Sequence, residues 1–360
     1  MEEEHAPAKT RFASIVNLAR NAGATVERFP LSILAAAGAA IAAHLLVGVD
    51  FDDADPMVAV IVTCVLGISL LFALRMLCDD RPWPRLAQLA VQLAGLIALG
   101  IFYLTLSVPL RGADWYRFFL LMAATHLFAS FAPFIGRSDE VNGFWQYNKT
   151  LLLRGALAAL YSGVIYVGLA LAVLACDTLL GFDVEDRAYA RLWFWIAYLY
   201  SAWFFLAGIP RDVRALNRTT DYPTGLRIFA QYALIPLIGV YLVILYAYLV
   251  KIVIQWELPN GWVTYPVMGV TIAGWLALLL VYPIRDQVEN AWIKAYTRFF
   301  SWALYPLIAL VIIAIWTRIA EYGLTERRYL VVVAIAWLLG ITVYFTIKRD
   351  RDIRWIPMSL

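Results

Sequence analysis

Between residues 31 and 347 the sequence is a succession of ten apolar runs separated by short polar loops. The runs cover 31–49, 57–77, 86–110, 115–135, 151–180, 192–209, 226–254, 263–284, 299–322 and 329–347. A span needs about 20 mostly apolar residues, because a hydrocarbon core about 30 Å thick is crossed at about 1.5 Å per residue. In hydrocarbon every backbone amide needs an internal partner, which leaves only helices or a closed barrel. Barrel strands alternate polar and apolar residues over about ten positions, and these runs are continuous. The expectation is an all-α polytopic membrane protein of about ten transmembrane helices.

Composition supports this: 63% of the 360 residues are hydrophobic and 15% are charged, against about 25% charged in a soluble domain. The domain reading has three parts: an N-terminal segment over 1–28, a transmembrane domain over 29–347 and a basic tail over 348–360. The first 28 residues carry four acids, a poor start for a secretion signal, so the first apolar run is expected to be retained as a helix. Cys64, Cys78 and Cys176 form no paired or metal-binding spacing, and neither a metal nor a cofactor is expected.

Lysines and arginines set orientation. Counting Arg227 at the start of the seventh run, 19 of them fall in the N-terminal segment, the even-numbered loops and the tail, against five in the odd-numbered loops. Both termini are therefore expected in the cytoplasm of a bacterial inner membrane. The basic inner face suits anionic lipid headgroups as partners. No basic run stands on a soluble domain, so nucleic acid is not expected, and no protein partner can be named.

The chain also repeats itself. A shift of 74 residues aligns Arg137, Arg211 and Arg285, each just past an even-numbered run, with Asp139, Asp212 and Asp286 close behind. The same shift carries "ALYS" (Ala159 to Ser162) onto "ALIP" (Ala233 to Pro236), and a further 70 reaches "ALYP" (Ala303 to Pro306). The implied unit is a helical hairpin, copied in parallel orientation as spans 4–5, 6–7 and 8–9. Pro236 and Pro306 are expected to kink their helices one or two turns in, with the softer pair Ser162-Gly163 at the matching place. Each proline frees the carbonyl four residues earlier, on Tyr232 and Trp302.

From Asn142 the chain reads "NGFWQYNKTLLLRGALAALYSGVIYVGLALAVLACDTLLGFDV", and from Tyr198 "YLYSAWFFLAGIPRD". These stretches resemble the bacterial inner-membrane family known as domain of unknown function 4153, from about residue 60 onward. The phrases Phe-Trp-x-Tyr-Asn and Gly-Ile-Pro-Arg-Asp are the most specific. The resemblance implies a polytopic plasma-membrane protein with no assigned activity and no catalytic residues to carry over. It also implies further hydrophobic sequence beyond Leu360.

Ionisable or kinked positions inside spans are the remaining candidates. His126 lies mid-way along the fourth run, and Arg154 sits one turn inside the fifth, where its stem can snorkel to headgroups. The stretch 285–298 places apolar residues at helical spacing and is expected to lie as an amphipathic helix in the inner interface. No hydrolase, metalloprotease or phosphate-loop motif is present, so the reading leans away from an enzyme. A transporter or lipid-handling permease fits the spans and kinks, and a non-catalytic scaffold of an envelope complex is the alternative. A polar cavity lined by His126, Ser162 and the freed carbonyls would favour the first.

Overall fold

The computed structural model describes residues 23–49, 55–79, 81–137, 140–256, 263–285, 290–347 and 352–360, and every regular element among them is helical. Ten helices stand where the ten runs do. They are α1 (Pro30–Leu46), α2 (Asp55–Cys78), α3 (Arg85–Leu104), α4 (Gly112–Phe131), α5 (Val141–Leu180), α6 (187–207), α7 (Thr224–Gln255), α8 (Thr264–Val281), α9 (Ala291–Tyr322) and α10 (Glu326–Ile347). A short helix, α11 (Trp355–Ser359), follows. Among the described residues, eight helices are long and apolar enough to cross a membrane. The other two are α1, which has 17 residues, and α6, which is divided by a π turn at Trp195–Tyr200. The protein is an all-α polytopic membrane protein.

Two compact units, Met1–Arg218 and Thr219–Leu360, divide the chain. In the first, α2 is central: Val62, Leu66 and Leu71 meet Leu99 and Phe102 of α3 and Phe118 of α4. Its other side takes α1, where Ala36, Ala39, Ala40 and Ala43 are buried without a large side chain among them. Lipid tails are as apolar as leucine, so close packing of small residues rather than escape from water holds such a seam. At Gly38 an added Cβ would stand 3.1 Å from the Cys64 sulfur. The π turn of α6 packs against α1 beside this seam, with Ile196 buried.

In the second unit α8 and α9 carry the core. Trp275 stands between Phe300 and Phe345, with ring centroids 5.8 and 4.7 Å away. Gly274 is required there, because a Cβ would overlap the Phe300 ring. α7 has its own π turn at Phe229–Leu234, whose Ala230 is buried against Leu280, Val281, Ile284 and Ile293.

Three elements differ from the reading of the runs. α5 has 40 residues and begins at Val141, ten before its apolar run, so "NGFWQYN" is the helix's own first turns. At about 1.5 Å per residue α5 is about 60 Å long, twice the hydrocarbon thickness. The stretch expected as a separate interfacial helix is, from Ala291 onward, continuous with α9. Ile293 and Thr297 are buried there, whereas Trp292 and Phe299 of the expected apolar face are 37% and 65% exposed. The tail also folds back: Trp337 Nε1 of α10 donates to Ser359 Oγ at 2.9 Å, and the Tyr344 and Trp355 rings approach to 6.2 Å.

Candidate functional site

Five helix ends of the first unit meet in one polar cluster: the start of α1, the end of α2, the end of α4, the start of α5 and the end of α6. Its centre is Arg28, two residues before α1 and the last residue of the helical stretch 23–28. Its Nε and Nη2 donate to Asp79 Oδ2 at 3.2 and 2.8 Å, Nη1 donates to the Ile209 carbonyl at 2.9 Å, and Nη2 also donates to the Pro210 carbonyl at 2.8 Å. Asp79 is shared, since Arg75 Nε lies 3.3 Å from its Oδ1. The Arg28 and Asp79 side chains are only 15% and 13% exposed. The chemistry suits the place. Carbonyls that follow a helix end lack amide partners and carry partial negative charge, and a planar guanidinium can serve two of them and a carboxylate together.

The surrounding groups extend the cluster. Arg81 Nη2 donates to the Ile135 carbonyl past α4 at 2.7 Å. Burial, with the neighbouring Arg137 charge, pulls the Arg81 guanidinium down from its usual range. Tyr147 donates its hydroxyl to Ala129 O at 3.2 Å, Asn148 Nδ2 donates to Ser130 O at 3.0 Å, and the Phe134 ring meets those of Phe144 and Tyr147. Across the loop after α6, Asn217 accepts from Gly143 N at 3.0 Å and from Asn142 Nδ2 at 2.9 Å. Arg154 lies across Gly208, where a Cβ would overlap its guanidinium. That loop also bears a cavity of about 390 Å³ lined by Asp212, Arg214, Ala215 and Arg218.

The two phrases quoted from the sequence, around Phe144 and around Gly208, thus build one junction. Residues 39–360 match the family described as "Domain of unknown function (DUF4153)". The chain belongs to this family. The family relationship extends to the protein named "Uncharacterized protein PM1469" of Pasteurella multocida (strain Pm70), 25% identical over 302 residues, which are 82% of this chain and 49% of that one. The chain therefore spans about half the length of that relative. No solved structure matches.

The other candidates are not gathered in one place. His126 is exposed on α4, and its Nδ1 lies 2.7 Å from Met122 O, an acceptor, so the proton is on Nδ1. Ser162 is buried on α5, its Oγ without a hydrogen-bond partner among the described residues, and Gly163 follows it in an unbroken helix. Pro236 comes directly after the π turn of α7, whereas Pro306 sits inside a continuous α9. The side chains of Tyr232 and Trp302 are exposed. Of the loop pairs, Asp139 and Asp286 lie outside the described residues. Arg137 pairs with Glu140 at 3.4 Å, Asp212 Oδ1 accepts from Ala215 N at 3.0 Å, Arg211 is exposed, and Arg285 stacks on the Tyr282 ring.

Arg28, Asp79 and Asn217 were not candidates from sequence. Asp79 alone carried a signal. An acid at the C-terminal end of a helix opposes the helix dipole and calls for a cation nearby.

Proposed function

We propose that the chain is a permease-like protein of a bacterial inner membrane, with both termini cytoplasmic, in which α6 and α7 are the moving elements. One observation carries the reading: the two helices flanking the loop 208–223 each leave the α ladder for a π turn, at Trp195–Tyr200 and Phe229–Leu234. π turns are rare, and each is a one-residue excess that a helix keeps where function needs it. The 19-to-5 charge asymmetry supports the orientation. The junction at Arg28 supports the alternation of the first unit, since it joins helix ends that the loop numbering puts on one side.

The test needs no knowledge of cargo. Spin labels at Leu45 and Trp193, exposed near the contact of His44 with Trp195, report the seam of α1 with α6 in lipid nanodiscs. A permease gives two interconverting separations, and deleting Ala197, which removes the excess residue, leaves one. A single separation in the undeleted protein overturns the reading. It would favour the static scaffold, which draws support from the closed set of bonds around Arg28 and Asp79 and from the dispersal of His126, Ser162 and the two prolines.

A further inference from the structure

The loop after α6 is built as a platform and not as a slack connection. Val213 is 1% exposed and anchors it from below, Asp212 Oδ1 caps the turn through Ala215 N, and Asn217 is tied to the start of α5 by two hydrogen bonds. Between these anchors a 3-10 turn, Arg214–Arg218, holds both of its arginines toward solvent. They line the cavity of about 390 Å³, with Asp212 as the one acid in its wall. Ligand pockets run from about 300 to 1,000 Å³, so the volume is sufficient for a phosphate with its ester substituents. Two arginines against one carboxylate leave the described wall net positive.

Position narrows the ligand. Gly208, six residues before Arg214, lies under the Arg154 side chain one turn inside the apolar run of α5. The platform thus follows directly on the apolar boundary of α5 and α6, at the level where lipid phosphates lie, on the side that carries most of the basic residues.

We propose that Arg214 and Arg218 form a binding site for the phosphate group of an anionic membrane phospholipid, the arginine forks holding the phosphate oxygens. The site stands whether or not α6 moves. A cavity at the headgroup level with a fixed pair of arginines differs from a diffuse basic face, because the first recognises a phosphate and the second only a potential.

The experiment uses the full chain in nanodiscs of phosphatidylcholine with a minor fraction of phosphatidylglycerol, and native mass spectrometry counts the anionic lipid retained on release. The double variant Arg214→Gln/Arg218→Gln is compared with Arg85→Gln/Arg298→Gln, which removes the same charge elsewhere on the basic side. At about 1.5 kcal/mol for each arginine–phosphate hydrogen bond lost, the first variant should retain the lipid roughly a hundred-fold less tightly, and the second should match the parent. Adding inorganic phosphate distinguishes the source of the ligand. No displacement of the retained lipid is expected, because a lipid held at the apolar boundary has an anchorage that free phosphate lacks. Equal losses in both variants would mean a general attraction to the basic face and would overturn the site. So would no loss in either, or displacement of the lipid by free phosphate.

Discussion

At the scale of single residues, Arg28 and Asp79 set the strongest expectation. Removing one partner of a buried pair leaves an uncompensated charge and costs about 3–5 kcal/mol. Asp79→Ala should lower the unfolding free energy of the first unit by that order, read by denaturant titration in detergent, and a loss under about 1 kcal/mol would contradict it. Arg28→Lys should recover little, because an ammonium cannot span Asp79, Ile209 O and Pro210 O together. Gly208→Ala should displace the flexible end of the Arg154 side chain at small cost, and Arg154→Ala in the same chain should remove that cost, a coupling measured by a double-mutant cycle. Beyond the acid at the end of α2, none of this was legible in the sequence. Arg28 and Asp79 are 51 positions apart, and Arg28 reads as one of four bases in a polar segment. Pairing between distant residues leaves no periodicity to find.

At the scale of elements, the apolar runs located all ten helices because bilayer thickness demands their length. Their ends were less legible where polar residues are helical, as in the first turns of α5, since Asn142, Gln146 and Asn148 look like loop until Asn217 and Ser130 are placed beside them. The π turns were invisible: "WIAYLY" and "FAQYAL" have the composition of any spanning helix. At Pro306, Tyr246 of α7 donates its hydroxyl to Ala303 O at 2.9 Å, in the turn the proline weakens. Tyr246→Phe should cost about 1 kcal/mol, and as much after Pro306→Ala, because the bond that alanine restores is to Trp302 O. A smaller cost in the second background would tie the tyrosine to the kink. The proposed duplication is tested within units. The pair α4–α5 should superpose on α8–α9 with Ser162 falling within about one turn, 5.4 Å, of Pro306, and a larger offset removes the repeat.

At the scale of the whole molecule, fold class was legible because hydropathy is summed over many residues. The division at Arg218 was not, since nothing in "NRTTDYPTG" distinguishes it from the other loops. Two consequences are measurable. Cysteines at Glu185 and Leu324 should react with an impermeant reagent in intact cells and one at Ala215 should not, and the reverse pattern would invert the orientation. Each unit has its own core, so Asp79→Ala should lower only the transition of the first, and Gly274→Ala, which drives a Cβ into Phe300, only that of the second. A common shift of both transitions would mean that the units melt together.

The length of α5 has a mechanical consequence. Within its apolar run, residues 155–176 between Arg154 and Asp177 carry no charge and span about 33 Å, close to a core of about 30 Å. A thinner bilayer must therefore be met by tilt of this one helix. The same helix begins in the junction that ties Tyr147 to Ala129 and Gly143 to Asn217. Membrane thickness therefore acts as a lever on that junction, and α5 works as its gauge.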